Sequence, residues 1–205
     1  MNTILSETET SFTEKGSRFL NYLFPVSDAD DIAEKLESLK ERYPDATHHC
    51  YAWRLGPQPI SEFANDDGEP SGTAGLPILN SLKSFDVVNA LCVSVRYYGG
   101  TKLGKPGLIA AYREAAESCL NEAKIGQLIP ITRFYIEFPY QEQKTIDQLV
   151  HSYSLKTLQS DYGSLVKTEI EAPSEEASKA LSHLKELSYR EIIISDISEG
   201  FGVEI

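Results

Sequence analysis

Apolar and polar positions along the chain alternate between a period of two and a period near 3.6. Residues 11–26 are rich in aromatic and strand-forming types and read as two strands that turn near Gly16. Ser27 and Asp28 then offer caps to a helix. In it Ile32, Leu36 and Leu39 recur at helical spacing until Tyr43-Pro44 ends the pattern. Residues 46–55 alternate as a strand, and residues 62–75 form a polar, glycine-rich loop. Leu76 to Leu82 reads as a short helix, with Thr73 as its cap and Pro77 in its first turn. Val87 to Tyr98 is almost continuously apolar, the mark of a central strand buried on both faces. Gly107 to Lys124 follows as a helix that places Leu108, Ala111, Tyr112, Ala115, Cys119 and Leu120 on one face.

Gly126 to Pro130 reads as a linker. Beyond it the pattern predicts a strand at 131–138, a helix at 141–152, strands at 155–160 and 164–171, a helix at 174–187 and a strand at 190–197. The order βαββαβ in so short a stretch is the ferredoxin-like arrangement. The expected fold class is therefore α+β in two domains, residues 1–125 and 126–205.

Composition adds limits. The 205 residues are 41% hydrophobic and 24% charged, as in an ordinary globular protein. No apolar run reaches the ~20 residues that a membrane-spanning helix needs, and the first residues do not form a signal peptide. A cytoplasmic location is expected, without membrane association. Cys50, Cys92 and Cys119 are widely spaced among apolar neighbours and read as reduced, buried thiols. The net charge of −12 opposes unspecific binding to nucleic acid. Against that trend, Arg96 to Arg113 contains Arg96, Lys102, Lys105 and Arg113 and no acid.

Two loops hold the candidate chemistry. Asn65 to Gly75 combines Asp66, Glu69, Ser71, Gly72 and Thr73. Its glycines allow close backbone approach, and a helix start directly after it exposes free N–H groups to an anion. Asp66, Asp67 and Glu69 are able to hold a cation or to pair with nearby Lys and Arg. Arg96 to Gly107 contains Tyr97, Gly99, Gly100, Lys102 and Gly104 between a buried strand and a helix, where phosphate is the natural guest. Gly99 to Lys105 has the spacing of a phosphate loop, but Pro106 stands where magnesium binding needs Ser or Thr. In His48-His49-Cys50 a strand directs His49 away from its neighbours, and His49 is the imidazole assigned to the candidate site. Zinc-type spacing and a nucleophile elbow are both lacking, so no metal, cofactor or catalytic residue is assigned.

Asp67-Gly68-Glu69-Pro70-Ser71-Gly72-Thr73-Ala74-Gly75-Leu76-Pro77, followed by Val93-Ser94-Val95-Arg96-Tyr97-Tyr98-Gly99-Gly100-Thr101-Lys102-Leu103-Gly104, closely resembles the IMPACT/YigZ family. The resemblance extends over the chain and is strongest at residues 15–122. It implies a first domain similar to the second domain of a small-subunit ribosomal protein. It also implies a second domain similar to the last domain of elongation factor G. Eukaryotic members regulate translation by competing for the activator of the amino-acid-starvation kinase. Where members often carry two glycines before the leucine, this chain has Pro106-Gly107-Leu108, which removes one N–H donor. The expected function is a noncatalytic, translation-associated regulatory or binding protein. It would contact ribosome, RNA or a protein partner through the glycine-rich basic loop. The alternative is an enzyme or sensor that binds a phosphorylated or nucleotide ligand between the two loops.

Overall fold

In the computed structural model, which describes residues 1–204, the chain is a mixed α+β protein. Five α-helices and ten strands in two sheets are present among those residues. The chain divides into two units, Met1–Gln127 and Leu128–Glu204.

The first unit runs β1 (Asn2–Ile4), β2 (Thr8–Glu14), β3 (Ser17–Pro25), α1 (Ala29–Arg42), β4 (His48–Leu55), β5 (Ser61–Asn65), α2 (Gly75–Ser84), β6 (Ala90–Tyr97) and α3 (Gly104–Glu122). Its antiparallel sheet has the order β2-β3-β6-β4-β5. β6 is central, and its period of two divides its side chains between two cores. Leu91, Val93 and Val95 pack with Ile32 and Leu39 of α1. Ala90 and Cys92 face Ile78 and Leu82 of α2 and Tyr112 and Cys119 of α3. Each fully buried Leu, Val or Ile contributes roughly 1.5–3 kcal/mol, which explains why a strand without polar alternation sits in the middle. Asp28 caps α1 by accepting from the Asp31 N–H at 2.9 Å.

The second unit contains most of β7 (Ile125–Phe138), then α4 (Gln143–Ser152), β8 (Lys156–Tyr162), β9 (Val166–Pro173), α5 (Ser174–Glu186) and β10 (Ile193–Glu204). Its strands lie in the order β10-β7-β9-β8. Phe134, Ile136 and Phe138 of β7 form the core with Val166 and Ile170 of β9, Ile146 and Leu149 of α4, and Ala177, Ala180 and Leu184 of α5. Arg133 and Glu137, at the alternate positions, pair with Glu171 at 2.6 Å and Lys167 at 3.4 Å.

Several boundaries differ from the sequence expectation: the last strand, expected at 190–197, is Ile193–Glu204, and the central strand starts at Ala90 rather than Val87. The expected linker at Gly126 to Pro130 is strand, because Ile125, Gly126 and Gln127 pair with Ile4, Thr3 and Asn2. Pro130 is tolerated there because pairing with β9 begins only at Ile131. The loop expected at 62–75 contains β5, paired to β4 from Ser61 to Asn65. Helix α3 begins at Gly104 rather than Gly107, so Pro106 lies in its first turn, where an N–H would lack a helical partner in any case.

Candidate functional site

Strand parity decides which side chains meet. His48 of β4 lies opposite Arg96 of β6 in the antiparallel register. Both share the sheet face of Cys50 and Cys92, under α2 and α3. His49 and Tyr97 therefore project from the opposite face. The Tyr97 hydroxyl donates to Asp45 at 2.9 Å and lines a separate hollow of about 560 Å³ beside Arg18, Arg42 and Tyr43. His49 is buried beneath α1, and burial holds its imidazole below the ordinary value. The candidate site thus contains His48, not His49, and Arg96 without Tyr97. Cys50 carried the missing signal: a strand residue two positions from an apolar core cysteine shares its face.

The first loop is closed on itself by Asp66. One carboxylate oxygen accepts from the Ala74 and Gly75 N–H groups, each at 2.9 Å, and the other accepts from Gly72 N–H at 2.8 Å. Burial raises the Asp66 carboxyl, but the three backbone donors outweigh it and hold it below the ordinary value. The α2 N-terminus, expected to be open to an anion, is already occupied by this side chain. Asp66 is not free to act as base or cation ligand. Thr73 does not cap α2 either. Its hydroxyl turns back to donate to the Pro70 carbonyl at 2.6 Å. Gly68 and Gly72 take positive φ in these turns, and Ser71 is exposed. Gly75 is required by space, since a Cβ there would lie 2.5 Å from the Asn65 nitrogen.

The second loop is open. No acid occupies the first turn of α3, and no side chain caps it. Gly100 and Gly104 have positive φ. Gly99 serves packing: a Cβ on it would fall 1.9 Å from the carbonyl carbon of Gly16, at the tip of the β2–β3 hairpin.

The two loops converge on a cleft of about 480 Å³. Glu69 and Pro70 come from the first loop, and Tyr98, Lys102, Leu103, Gly104 and Lys105 from the second. His48, Arg96 and Leu108 complete the lining. Its floor is an ion pair between Glu69 and Arg96, whose side chains are only 4% and 5% exposed. The same Glu69 oxygen accepts from the Tyr112 hydroxyl at 2.8 Å, and Arg96 also donates to Ser17 Oγ at 3.0 Å. The Arg96 guanidinium lies 5.4 Å from the Phe19 ring centroid and 5.6 Å from that of Tyr98. Its Nε is buried without a hydrogen-bond partner among the described residues. His48 Nδ1 donates to the Asp67 carbonyl at 2.7 Å, because a carbonyl only accepts. The other ring nitrogen, Nε2, lies 3.8 Å from Glu69.

Burial keeps the thiol and phenol nearest the ion pair in their neutral forms. Cys50 donates to the Asp66 carbonyl at 3.0 Å, its sulfur lies 3.3 Å from the Tyr112 hydroxyl, and burial pushes its thiol well above the ordinary value. Burial does the same to the Tyr112 phenol, which stays a neutral donor. Glu69 is the one acid in the lining and is matched by Arg96, so Lys102 and Lys105 leave the rim with excess positive charge. Among the described residues no group of three or more His, Cys, Asp or Glu is arranged to hold a metal, and no helix is long and apolar enough to cross a membrane.

The sequence pattern of the Impact N-terminal domain matches residues 15–120. The chain is 32% identical over 187 residues to the IMPACT family member YigZ of Escherichia coli strain K12, covering 90% of this chain and 92% of that relative. It is 40% identical over 119 residues to the IMPACT family member YvyE of Bacillus subtilis strain 168, covering 58% of this chain and 55% of that one. A solved crystal structure, described as that of a hypothetical protein, is similar over 96% of this chain and 97% of its own, with 28% identity and a TM-score of 0.65. With a domain match over more than half its length and a relative aligned almost end to end, the chain belongs to the IMPACT family.

Proposed function

We propose that the protein is a translation-associated regulator that acts by binding in the cytoplasm, and that it contacts the ribosome through RNA phosphates at the cleft between its two glycine-rich loops. One observation carries this reading: Lys102 and Lys105 stand at an uncapped helix start beside a cleft whose only acid is neutralised. Phosphate oxygens are attracted to such a rim, whereas the rest of this acidic chain repels them. Family membership supports the link to translation. The parts of the fold fit as well. The order β7-α4-β8-β9-α5-β10, with sheet order β10-β7-β9-β8, supports a ferredoxin-like second domain similar to the last domain of elongation factor G. The sheet of the first unit, covered by helices on both faces, supports likeness to the second domain of a ribosomal protein.

Co-sedimentation with ribosomes over a salt series tests the reading. The intact chain should pellet at low salt and be released as salt rises. The double variant Lys102→Glu, Lys105→Glu should remain in the supernatant. If the intact chain does not associate at low salt, the reading fails.

A further inference from the structure

The cleft offers more than positive charge, and its other groups point to a ligand class. This step rests on the cleft being the working site. Three chemistries surround one volume. Lys102 and Lys105, with free N–H groups in the first turn of α3, supply donors for an anion. Tyr98 is 47% exposed and presents a ring backed by the Arg96 guanidinium, a platform for a flat π-system. At the floor lie two polar groups, the His48 ring nitrogen Nε2 and the Glu69 carboxylate, which are able to pair with hydroxyl or amino groups of the guest. The orphaned Arg96 Nε marks the same floor as a place where hydrogen bonding is incomplete among the described residues. The volume of about 480 Å³ falls in the range of small-molecule sites.

We propose that the cleft binds a single ribonucleotide unit: phosphate at Lys102 and Lys105, base against Tyr98, and ribose hydroxyls or base amino groups toward His48 and Glu69. The parts of the guest match the parts of the cleft one for one. Inorganic phosphate would use only the rim. An apolar ligand would leave both lysines without partners. The unit has two sources, a free nucleotide or a nucleotide within RNA, and the chemistry of the cleft is common to both.

Isothermal titration of the full chain with each of the four nucleoside monophosphates, with inorganic phosphate and with a short oligoribonucleotide tests this. At least one nucleotide or the oligonucleotide should bind more tightly than phosphate. Tyr98→Ala should weaken that binding by roughly tenfold, the scale of one lost base-stacking contact. Lys102→Ala with Lys105→Ala should weaken both nucleotide and phosphate. All three substituted residues are exposed, so unchanged melting temperatures separate lost binding from lost folding. Binding of the oligonucleotide alone, with the same sensitivity to Tyr98→Ala, keeps the proposal and makes RNA the source. Binding no tighter than phosphate, or tighter binding that Tyr98→Ala leaves unchanged, overturns it. Ribosome co-sedimentation run in parallel separates the two claims. Ribosome binding lost in the lysine variant but without nucleotide affinity sinks only the nucleotide proposal. Nucleotide affinity without ribosome binding sinks only the ribosomal reading.

Discussion

The two glycine-rich loops look alike in sequence and do opposite things. Each leads into a helix, and each has glycines at positive φ. In the first, Asp66 folds back and occupies the backbone donors at the start of α2. In the second, no side chain caps the helix, its first turn holds no acid, and two lysines flank the start of α3. One helix start is therefore closed by the chain's own carboxylate, and the other has no side-chain cap. Glycine content before a helix is not enough to mark an anion site. What matters is whether a carboxylate of the same chain has already taken the N–H groups.

The largest effect should come from the floor the two loops share. Glu69→Gln leaves the buried Arg96 without its counter-charge and should cost about 3–5 kcal/mol. Chemical denaturation measures it, and a loss below about 1 kcal/mol would mean that the pair is not what joins the loops. Gly99→Ala should come next, at roughly 2–3 kcal/mol, because its Cβ meets the Gly16 backbone. Gly100→Ala, with open space around it, should lose only the smaller cost of a positive φ, about 1 kcal/mol. Equal losses at the two glycines would show that packing against the hairpin is not the difference between them.

Asp66→Ala should cost about 2 kcal/mol by uncapping α2, while leaving ligand affinity at α3 unchanged. A pH series sharpens this prediction. The folded-state pKa of Asp66 is depressed below its ordinary 3.8, so its stabilisation is complete above that value and is lost as pH falls through the lower folded value. The stability difference between the parent chain and Asp66→Ala should therefore narrow in acid. A difference that is constant with pH would mean that Asp66 contributes shape rather than charge. The smallest stability change belongs to the second loop. Lys102→Ala and Lys105→Ala should each alter stability by less than about 0.5 kcal/mol, since both side chains are exposed. A larger loss in thermal melts would show that this loop too is closed by internal contacts.

Much of the candidate site was legible in the chain. Glu69, Arg96, Lys102 and Gly104 were singled out by residue type and spacing, and all four line the cleft. Others lie away from the cleft for reasons of geometry. His49 and Tyr97 belong to the opposite face, because adjacent strand residues face opposite sides of the sheet. Asp66 and Thr73 carry suitable atoms that are already engaged. Tyr112 and Ser17 had no local signal. They reach the floor from α3 and from the start of β3, far away in sequence.

Local pattern by itself determined most of the helices and strands, the central burial of β6, the apolar face of α3 and the two loops worth attention. These follow from the nearest few residues, through periodicity, capping and turn chemistry. Only the tertiary structure decided that the loops converge, that the first closes its own helix with Asp66, and that His48 rather than His49 joins Arg96. It also turned the expected linker into part of β7, through pairing with residues 2–4. The physical reason is the same in each case. Register and hydrogen-bond partners are settled between segments distant in sequence, where one residue of shift reverses a side chain's face and one buried carboxylate decides whether a helix start remains open.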